Sequence, residues 1–296
     1  MPTKKKQQKR LIFLNFGIKN RKQILQQTSL FSFEFYRTKD MCCFIKGGSK
    51  LTFVHLGKTV DFKDSRVFTR LQGSDSQFCG IIHEHLERSD VKFVDKINLK
   101  FDEADHKIAQ MPRLAEAGIK IPETIIARYE SYIANKDFIL SKITFPAIFK
   151  TNGSQGRNVY RVESLTDLEK HIEKQKRHGR LFLIQEWLEN EWDVRTLMAF
   201  DEHLGSIKRM RKKGFLNNVG SGASVEKFEA SERMITVAKD ACHVNDIDFG
   251  GVDFITTKSG PVVLEVNKSP QIKGFEKVYG RGYVWRHIIS SMNKKF

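Results

Sequence analysis

Two apolar runs near the C-terminal end constrain this chain more than any other feature. They are Gly251-Val252-Asp253-Phe254-Ile255-Thr256-Thr257 and Pro261-Val262-Val263-Leu264-Glu265-Val266-Asn267, joined by Lys258-Ser259-Gly260. Both are rich in β-branched residues, and the glycine in the link supplies the left-handed backbone that a tight hairpin needs. Side chains two apart on a strand share a face, so Glu265 and Asn267 point the same way. If Thr257 pairs with Pro261, Asp253 falls directly opposite Glu265, with the cross-strand side chains about 5 Å apart. Two carboxylates and an amide oxygen then converge. Hard oxygen donors grouped like this suit Mg²⁺, which takes one or two carboxylates and leaves positions for water and phosphate oxygens. Alone, the same residues also describe a surface hairpin with solvated carboxylates, so the rest of the chain must decide.

A length of 296 residues allows two or three packed lobes. With 40% hydrophobic and 29% charged residues, the composition is that of a folded soluble protein. The net charge of +16 draws acidic substrates, nucleic acid or anionic surfaces, or reflects a lysine-rich solvated face. Residues 1–10 read as a basic tail. The run Leu11-Ile12-Phe13-Leu14-Asn15-Phe16 is too short and too interrupted for a signal peptide and reads as a first strand. Nothing approaches the ~20 apolar residues of a membrane span, so no membrane partner is expected. Cys42, Cys43, Cys79 and Cys242 form no C-x-x-C pair and point to a reduced, cytoplasmic protein. His83-Glu84-His85 lacks the spacing of a metal-binding helix and is expected on the polar side of a helix over 77–88.

Strands are predicted over 11–16, 31–37, 42–46, 51–55, 67–71 and 92–94, with helices over 19–27 and 77–88. That alternation predicts a small open-sheet α/β domain over 11–100. A helix over 102–117 stops at Gly118. Residues 101–188 continue as a second lobe: a strand ending in Lys150, a glycine-bearing turn over 151–158, a strand over 159–162, a helix and a strand over 181–186. The helix is expected to start at Thr166, with Glu169 completing a capping box, and to stop at Gly179. Residues 189–296 form the last lobe: strands at 193–200 and 205–211, a Gly- and Asn-rich loop over 214–222, a helix from Ser231 to about Val244, and the hairpin.

The Gly153–Gly156 turn is neither a Walker A loop nor a dinucleotide fingerprint, since no G-K-[ST] follows and it leads into a strand. Glycines between two strands still let backbone N–H groups approach phosphate oxygens, and Lys150 adds a cation beside them. A phosphate loop, a second Gly-flanked loop with Asn217 and Asn218, and the acidic hairpin thus follow in chain order.

Over about residues 65–280 this order resembles the ATP-grasp superfamily, and within it the RimK-type carboxylate–amine ligases. The carrying motifs are His106-Lys107 ahead of Leu114-Ala115-Glu116-Ala117-Gly118-Ile119-Lys120-Ile121-Pro122, then Gln185-Glu186-Trp187-Leu188, Asp193-Val194-Arg195 and Glu265-Val266-Asn267-Lys268-Ser269-Pro270. The resemblance implies an ATP-grasp fold of α/β character, with α+β lobes behind an N-terminal open-sheet α/β domain. It implies ATP, with Lys107, Lys150, Gly153, Ser154 and Gly156 at the phosphates, and Glu186, Trp187 and Leu188 as the hinge that reads adenine. Asp193 would lie near the ribose, with Asn217 and Asn218 also on the nucleotide. Arg209 would face the transferred phosphoryl group and Arg195 the substrate. Asp253, Glu265 and Asn267 would hold Mg²⁺ or Mn²⁺, as two ions. Three departures fall toward the acceptor side or the phosphates: His106 where an acid is usual, Leu216 where an arginine often sits, and Gln271 where glycine is usual.

The implied reaction is ADP-forming amide synthesis through an acyl phosphate. Its partners are ATP, an amino acid as amine donor such as glutamate, and a carboxylate acceptor, with an acidic peptide, protein tail or coenzyme as candidates. Nucleic acid is not required, and a homo-oligomer is compatible. The rival readings are an ATP-grasp kinase acting on a polyanionic small molecule and a basic ribosome- or nucleic-acid-associated protein with a degenerate site.

Overall fold

The computed structural model describes residues 9–27, 31–46, 51–70, 75–99, 103–151, 158–211 and 223–295. The apolar run after the basic tail begins a strand two residues earlier than its hydrophobicity suggests, because Arg10 ion-pairs with Glu34 at 2.8 Å across the first sheet. That sheet contains β1 (Lys9–Leu14), β2 (Phe31–Tyr36), β6 (Ser65–Thr69) and β7 (Lys92–Val94), in the order β2-β1-β6-β7 with every pairing parallel. Helices α1 (Ile18–Leu25) and α2 (Ser76–Arg88) connect its strands. Between β2 and β6 a separate three-stranded antiparallel sheet is inserted: β3 (Met41–Phe44), β4 (Thr52–His55) and β5 (Lys58–Val60).

Helix α3 (Glu103–Glu116) ends where Gly118 takes φ +72°, a conformation glycine adopts without steric cost. By sequence position it falls in the second lobe. By packing, Ile108, Met111 and Leu114 share a core with Val194, Val252 and Val263 of the last sheet.

The second sheet is antiparallel, in the order β10-β9-β11-β8, from β8 (Thr124–Ala127), β9 (Ala147–Thr151), β10 (Val159–Val162) and β11 (Phe182–Glu186). Short helices α4 (Tyr129–Ala134) and α5 (Lys136–Leu140) follow β8. Helix α6 (Leu165–Glu173) starts one residue before Thr166 and ends well short of Gly179. Its cap is Ser164, which accepts from the Asp167 N–H, and Glu169 instead pairs with Lys136. The heptad geometry explains the choice: Leu168 and Ile172 must face the core beneath them, which turns Glu169 away from the helix start.

The third sheet has five strands in the order β14-β13-β12-β15-β16: β12 (Trp192–Ala199), β13 (Glu202–Met210), β14 (Ser224–Phe228), β15 (Phe249–Thr257) and β16 (Gly260–Asn267). Helix α7 (Glu232–His243) covers one face, capped by Ser231, which accepts from the Met234 N–H. Two helices end the chain, α8 (Lys273–Tyr279) and α9 (Tyr283–Lys295). Trp285, Ile288 and Met292 of α9 lie in one core with Leu11, Phe13 and Phe68 of the first sheet and Leu197, Ile207 and Phe249 of the third. This segment, grouped with the last lobe by sequence, packs against both. No described helix is long and apolar enough to cross a membrane.

Candidate active site

The hairpin turns more tightly than the Lys258-Ser259-Gly260 link suggests. Thr257 pairs with Gly260 and Thr256 with Pro261, which leaves a two-residue turn and places Gly260 at φ +110°. Continued unchanged, this register would set Asp253 against Leu264. A β-bulge between Asp253 and Phe254 takes up one extra residue on β16, and Asp253 falls opposite Glu265 after all. The sequence reading reached the right pair by the wrong register.

The bulge also reverses the faces of β16. In an unbroken strand Glu265 would share the face of the fully buried Val263. With the bulge, Glu265 and Asn267 share the face of Asp253. Gly251, opposite Asn267, gives this arrangement its room. A Cβ there would lie 2.8 Å from Pro270 Cβ and 3.4 Å from Arg195 Cδ.

Asp253 anchors a ladder of charges that crosses four strands. Arg195 lies directly opposite it on β12 and donates through Nε and Nη2, each at 2.6 Å, to its two oxygens. Arg209 on β13 adds Nη2 at 3.0 Å. Arg209 Nε also donates to Asp193 Oδ1 at 2.5 Å, its register partner on β12. Only 3% of the Arg209 side chain is exposed. Between two buried carboxylates its guanidinium stays charged, because their attraction outweighs the desolvation that would lower its pKa. Burial pushes Asp193 up to about 6, against the opposing pull of Arg209. Asp193, assigned to the ribose from the sequence, is therefore turned inward onto Arg209. Arg195 and Arg209 likewise hold Asp253 in this structure.

At the other end of the ladder, Glu265 Oε2 accepts from Lys107 Nζ at 3.2 Å, and Asn267 Nδ2 donates to Glu265 Oε1 at 2.9 Å. Burial would raise the Glu265 carboxyl, but Lys107, Lys150 and Arg195 overcome it and hold Glu265 well below the usual carboxylate range. Lys150 lies on β9, opposite Val159 and Leu183. Desolvation lowers its pKa, Glu265 pulls it back up, and Lys107 opposes. The two lysines and Glu265 thus form one electrostatic unit drawn from a helix and two sheets.

The hinge residues follow β11. Gln185 is buried and donates to Thr124 Oγ1 at 2.8 Å, while Glu186 donates its backbone N–H to the Glu123 carbonyl at 2.9 Å. The Trp187 ring lies 4.7 Å beneath the Arg161 guanidinium, and Leu188 is half-buried beside it. Gly153, Ser154, Gly156, Asn217 and Asn218 lie outside the described residues.

The donor set fits a hard divalent cation. Two carboxylates and an amide oxygen lie on adjacent strands, and Asn267 turns its nitrogen toward Glu265, which leaves its oxygen as the ligating end. A carboxylate offers about four lone-pair sites. The arginines use three of those on Asp253, so one remains. Among the described residues, no three Asp, Glu, His or Cys side chains form a ligand cluster, and Asn267 supplies the third oxygen donor beside Asp253 and Glu265. Four cationic side chains (Lys107, Lys150, Arg195, Arg209) face three carboxylates (Asp193, Asp253, Glu265), a balance that favours an anionic ligand.

His83, expected on a polar helix face, is fully buried instead. It bonds Thr69 Oγ1 at 2.9 Å and stacks on Phe93. Sequence reasoning also missed Gln110 of α3, which accepts the backbone N–H of Val266 between Glu265 and Asn267 at 2.5 Å. Its place one turn after Lys107 on the same helical face was the signal that could have found it.

A profile of the RimK-like ATP-grasp domain matches residues 104–289. A probable alpha-L-glutamate ligase of Trichodesmium erythraeum is 27% identical over 252 residues, covering 83% of each chain. A ribosomal protein bS6–L-glutamate ligase of Escherichia coli is 33% identical over 183 residues, so the match spans 60% of each chain. Among solved structures, a Chryseobacterium gregarium RiPP-associated ATP-grasp ligase in complex with ADP and a leader and core peptide superposes with TM-score 0.71 at 12% identity, over 97% of each chain. The ATP-grasp ligase PsnB with a phosphomimetic minimal precursor, Mg and ADP gives 0.69 at 16% identity, over 95% of this chain and 98% of that one. At these identities the structural matches speak for the fold.

Proposed function

The chain belongs to the RimK-like ATP-grasp family and is an ATP-dependent, ADP-forming ligase, and we propose that it joins the amino group of an amino acid, glutamate foremost, to a peptide or protein carboxylate through an acyl phosphate. The observation that carries this reading is the charge ladder Arg209–Asp193, Arg195–Asp253, Glu265–Lys107, with Lys150 facing it from the second sheet. Bringing a carboxylate to ATP means bringing two anions together, and these cations offset that repulsion.

In the first step a carboxylate oxygen of the acceptor bonds to the γ-phosphorus as the bond to the β-phosphate oxygen breaks. ADP leaves with that electron pair. The amine then attacks the acyl carbon, the carbon–oxygen bond to phosphate breaks, and the amine proton passes to solvent as phosphate departs. Lys107 and Lys150 hold the phosphates in place. Arg209 and Arg195, oriented by Asp193 and Asp253, face the charge that develops. Glu265, Asn267 and the remaining lone pair of Asp253 would hold Mg²⁺, two ions in this reading. Bound there, the metal neutralises phosphate oxygens.

Relatives named for glutamate ligation support the amino acid, and neighbours solved with peptides support the acceptor class. The thiols of Cys42, Cys43, Cys79 and Cys242 are all unbridged, which supports a reducing compartment. Incubating the purified chain with ATP, Mg²⁺, single amino acids and acidic peptides tests the proposal by mass spectrometry. The expected products are ADP, phosphate and a peptide heavier by one glutamyl residue. A peptide that gains phosphate and no amide would instead establish a kinase.

A further inference from the structure

The bulge on β16 does two jobs at once. It sets Glu265 and Asn267 on the face of Asp253, and it changes which backbone amides point out of the sheet. β16 is an edge strand, and in a regular edge every second N–H faces outward. Here the outward amides are three apart. The Val263 N–H donates to the Lys120 carbonyl at 2.9 Å, and the Val266 N–H donates to Gln110 Oε1. That spacing belongs to the bulged register alone. If Leu264 were drawn back into regular pairing, the Val266 N–H would turn toward β15 and lose Gln110.

Gln110 is 1% exposed, and its Nε2 has no partner among the described residues. A buried amide with one idle end is a poor filler for an apolar helix face, since leaving a donor unsatisfied costs free energy that Met or Leu would avoid. Its acceptor end is what the fold uses. On the same face of α3, one turn earlier, Lys107 binds the carboxylate of Glu265. One helix therefore grips the side chain of one candidate ligand and the backbone N–H between that ligand and the next.

We infer that Gln110 is a positioning residue. Its side-chain oxygen locks the bulged register of β16 and so holds Glu265 and Asn267 in the geometry that binds a divalent cation. It touches neither the cation nor the reacting atoms. This inference rests on the metal role proposed above for Glu265 and Asn267.

The test uses Mn²⁺ alone as probe, with affinity read by electron paramagnetic resonance and Val266 amide protection read by hydrogen exchange. Gln110→Met keeps the volume and removes the acceptor. It is expected to strip Val266 protection and weaken Mn²⁺ by about 10- to 100-fold, the range seen when partners that orient metal ligands are lost. Gln110→Glu keeps an acceptor oxygen and is expected to retain protection and most of the affinity, a rescue that a purely space-filling role would not show. If Gln110→Met fails to fold, Gln110→Asn, which falls short of the amide, replaces it with the same expectation. Mn²⁺ affinity unchanged in the acceptor-less variant overturns the inference, whether or not Val266 loses protection. Glu265→Ala is measured in parallel. If that variant binds Mn²⁺ like the wild type, the metal reading fails. If it loses Mn²⁺ while Gln110→Met keeps it, the metal reading stands and the role of Gln110 falls.

Discussion

Arg209 shows why a site residue identified by type needs its neighbours before its loss can be read. Removing its guanidinium leaves Asp193 and Asp253 buried without their shared partner. Arg209→Ala is therefore expected to destabilise the fold by about 3–5 kcal/mol in addition to slowing turnover. Lys150 shares Glu265 with Lys107, which still pairs with that carboxylate when Lys150 is removed, so Lys150→Ala should raise KM for ATP with a smaller loss of stability than Arg209→Ala. Urea denaturation and steady-state kinetics on the two variants separate these effects, and a large stability loss in Lys150→Ala alone would reverse the assignment. His83 makes a pH prediction. Burial, with Lys268 adding, lowers its pKa from 6.5 to about 4. Between those values the unfolded chain binds a proton that the folded chain does not. The stability is then fully present above pH 6.5 and is lost as pH falls toward 4, by roughly 3 kcal/mol in all. His83→Asn should flatten the fall in Tm between pH 7 and pH 4.5, and an identical slope would sever the link. Residue types at the ladder were legible from sequence. Their mutual neutralisation was not, because Arg209 meets Asp193 across one hairpin and Asp253 two strands away, and only the assembled sheet brings the three together.

At the scale of elements, Gly251 couples β15 to the segment that follows β16. Any Cβ must displace Pro270, whose own Cβ it would meet at 2.8 Å. Gly251→Ala is expected to cost about 1–3 kcal/mol by overpacking, and to weaken Mn²⁺ binding because the displaced Pro270 lies just beyond Asn267, the register partner of Gly251. Thermal melting gives the first effect and Mn²⁺ titration the second; a variant normal in both would show that the contact relaxes freely. Strand periodicity and the Ser231 cap were readable because each rests on local backbone chemistry. Ser164 and Thr166 both begin an acceptable capping pattern, and only the burial of Leu168 and Ile172 chose between them. The bulge was equally hidden. The residues of a regular and a bulged β16 are the same, and the choice follows from the two-residue turn at one end and the outward amide contacts along its edge.

Across the whole molecule, Trp285 ties the first sheet to the third. It is fully buried, with ring contacts to Phe16, Phe68 and Phe249. Trp285→Ala should cost about 3–5 kcal/mol, and unfolding by chemical denaturant checks it. A loss below 1 kcal/mol would mean the two sheets do not rely on α9 to stay together. The sequence by itself determined the α/β alternation, the antiparallel hairpin and the residue types that line it, while the bulge that sets Asp253 opposite Glu265 came from the tertiary structure. The first three depend on period-two patterning, turn glycines and charges a few residues apart, all of which the backbone reads locally. The tertiary structure alone decided that α3 grips β16, that Asp193 pairs with Arg209, that His83 is buried and that α9 joins the first and last sheets. Those outcomes follow from which apolar faces can be covered together and which buried charges must find partners, and the chain settles both only when distant segments meet.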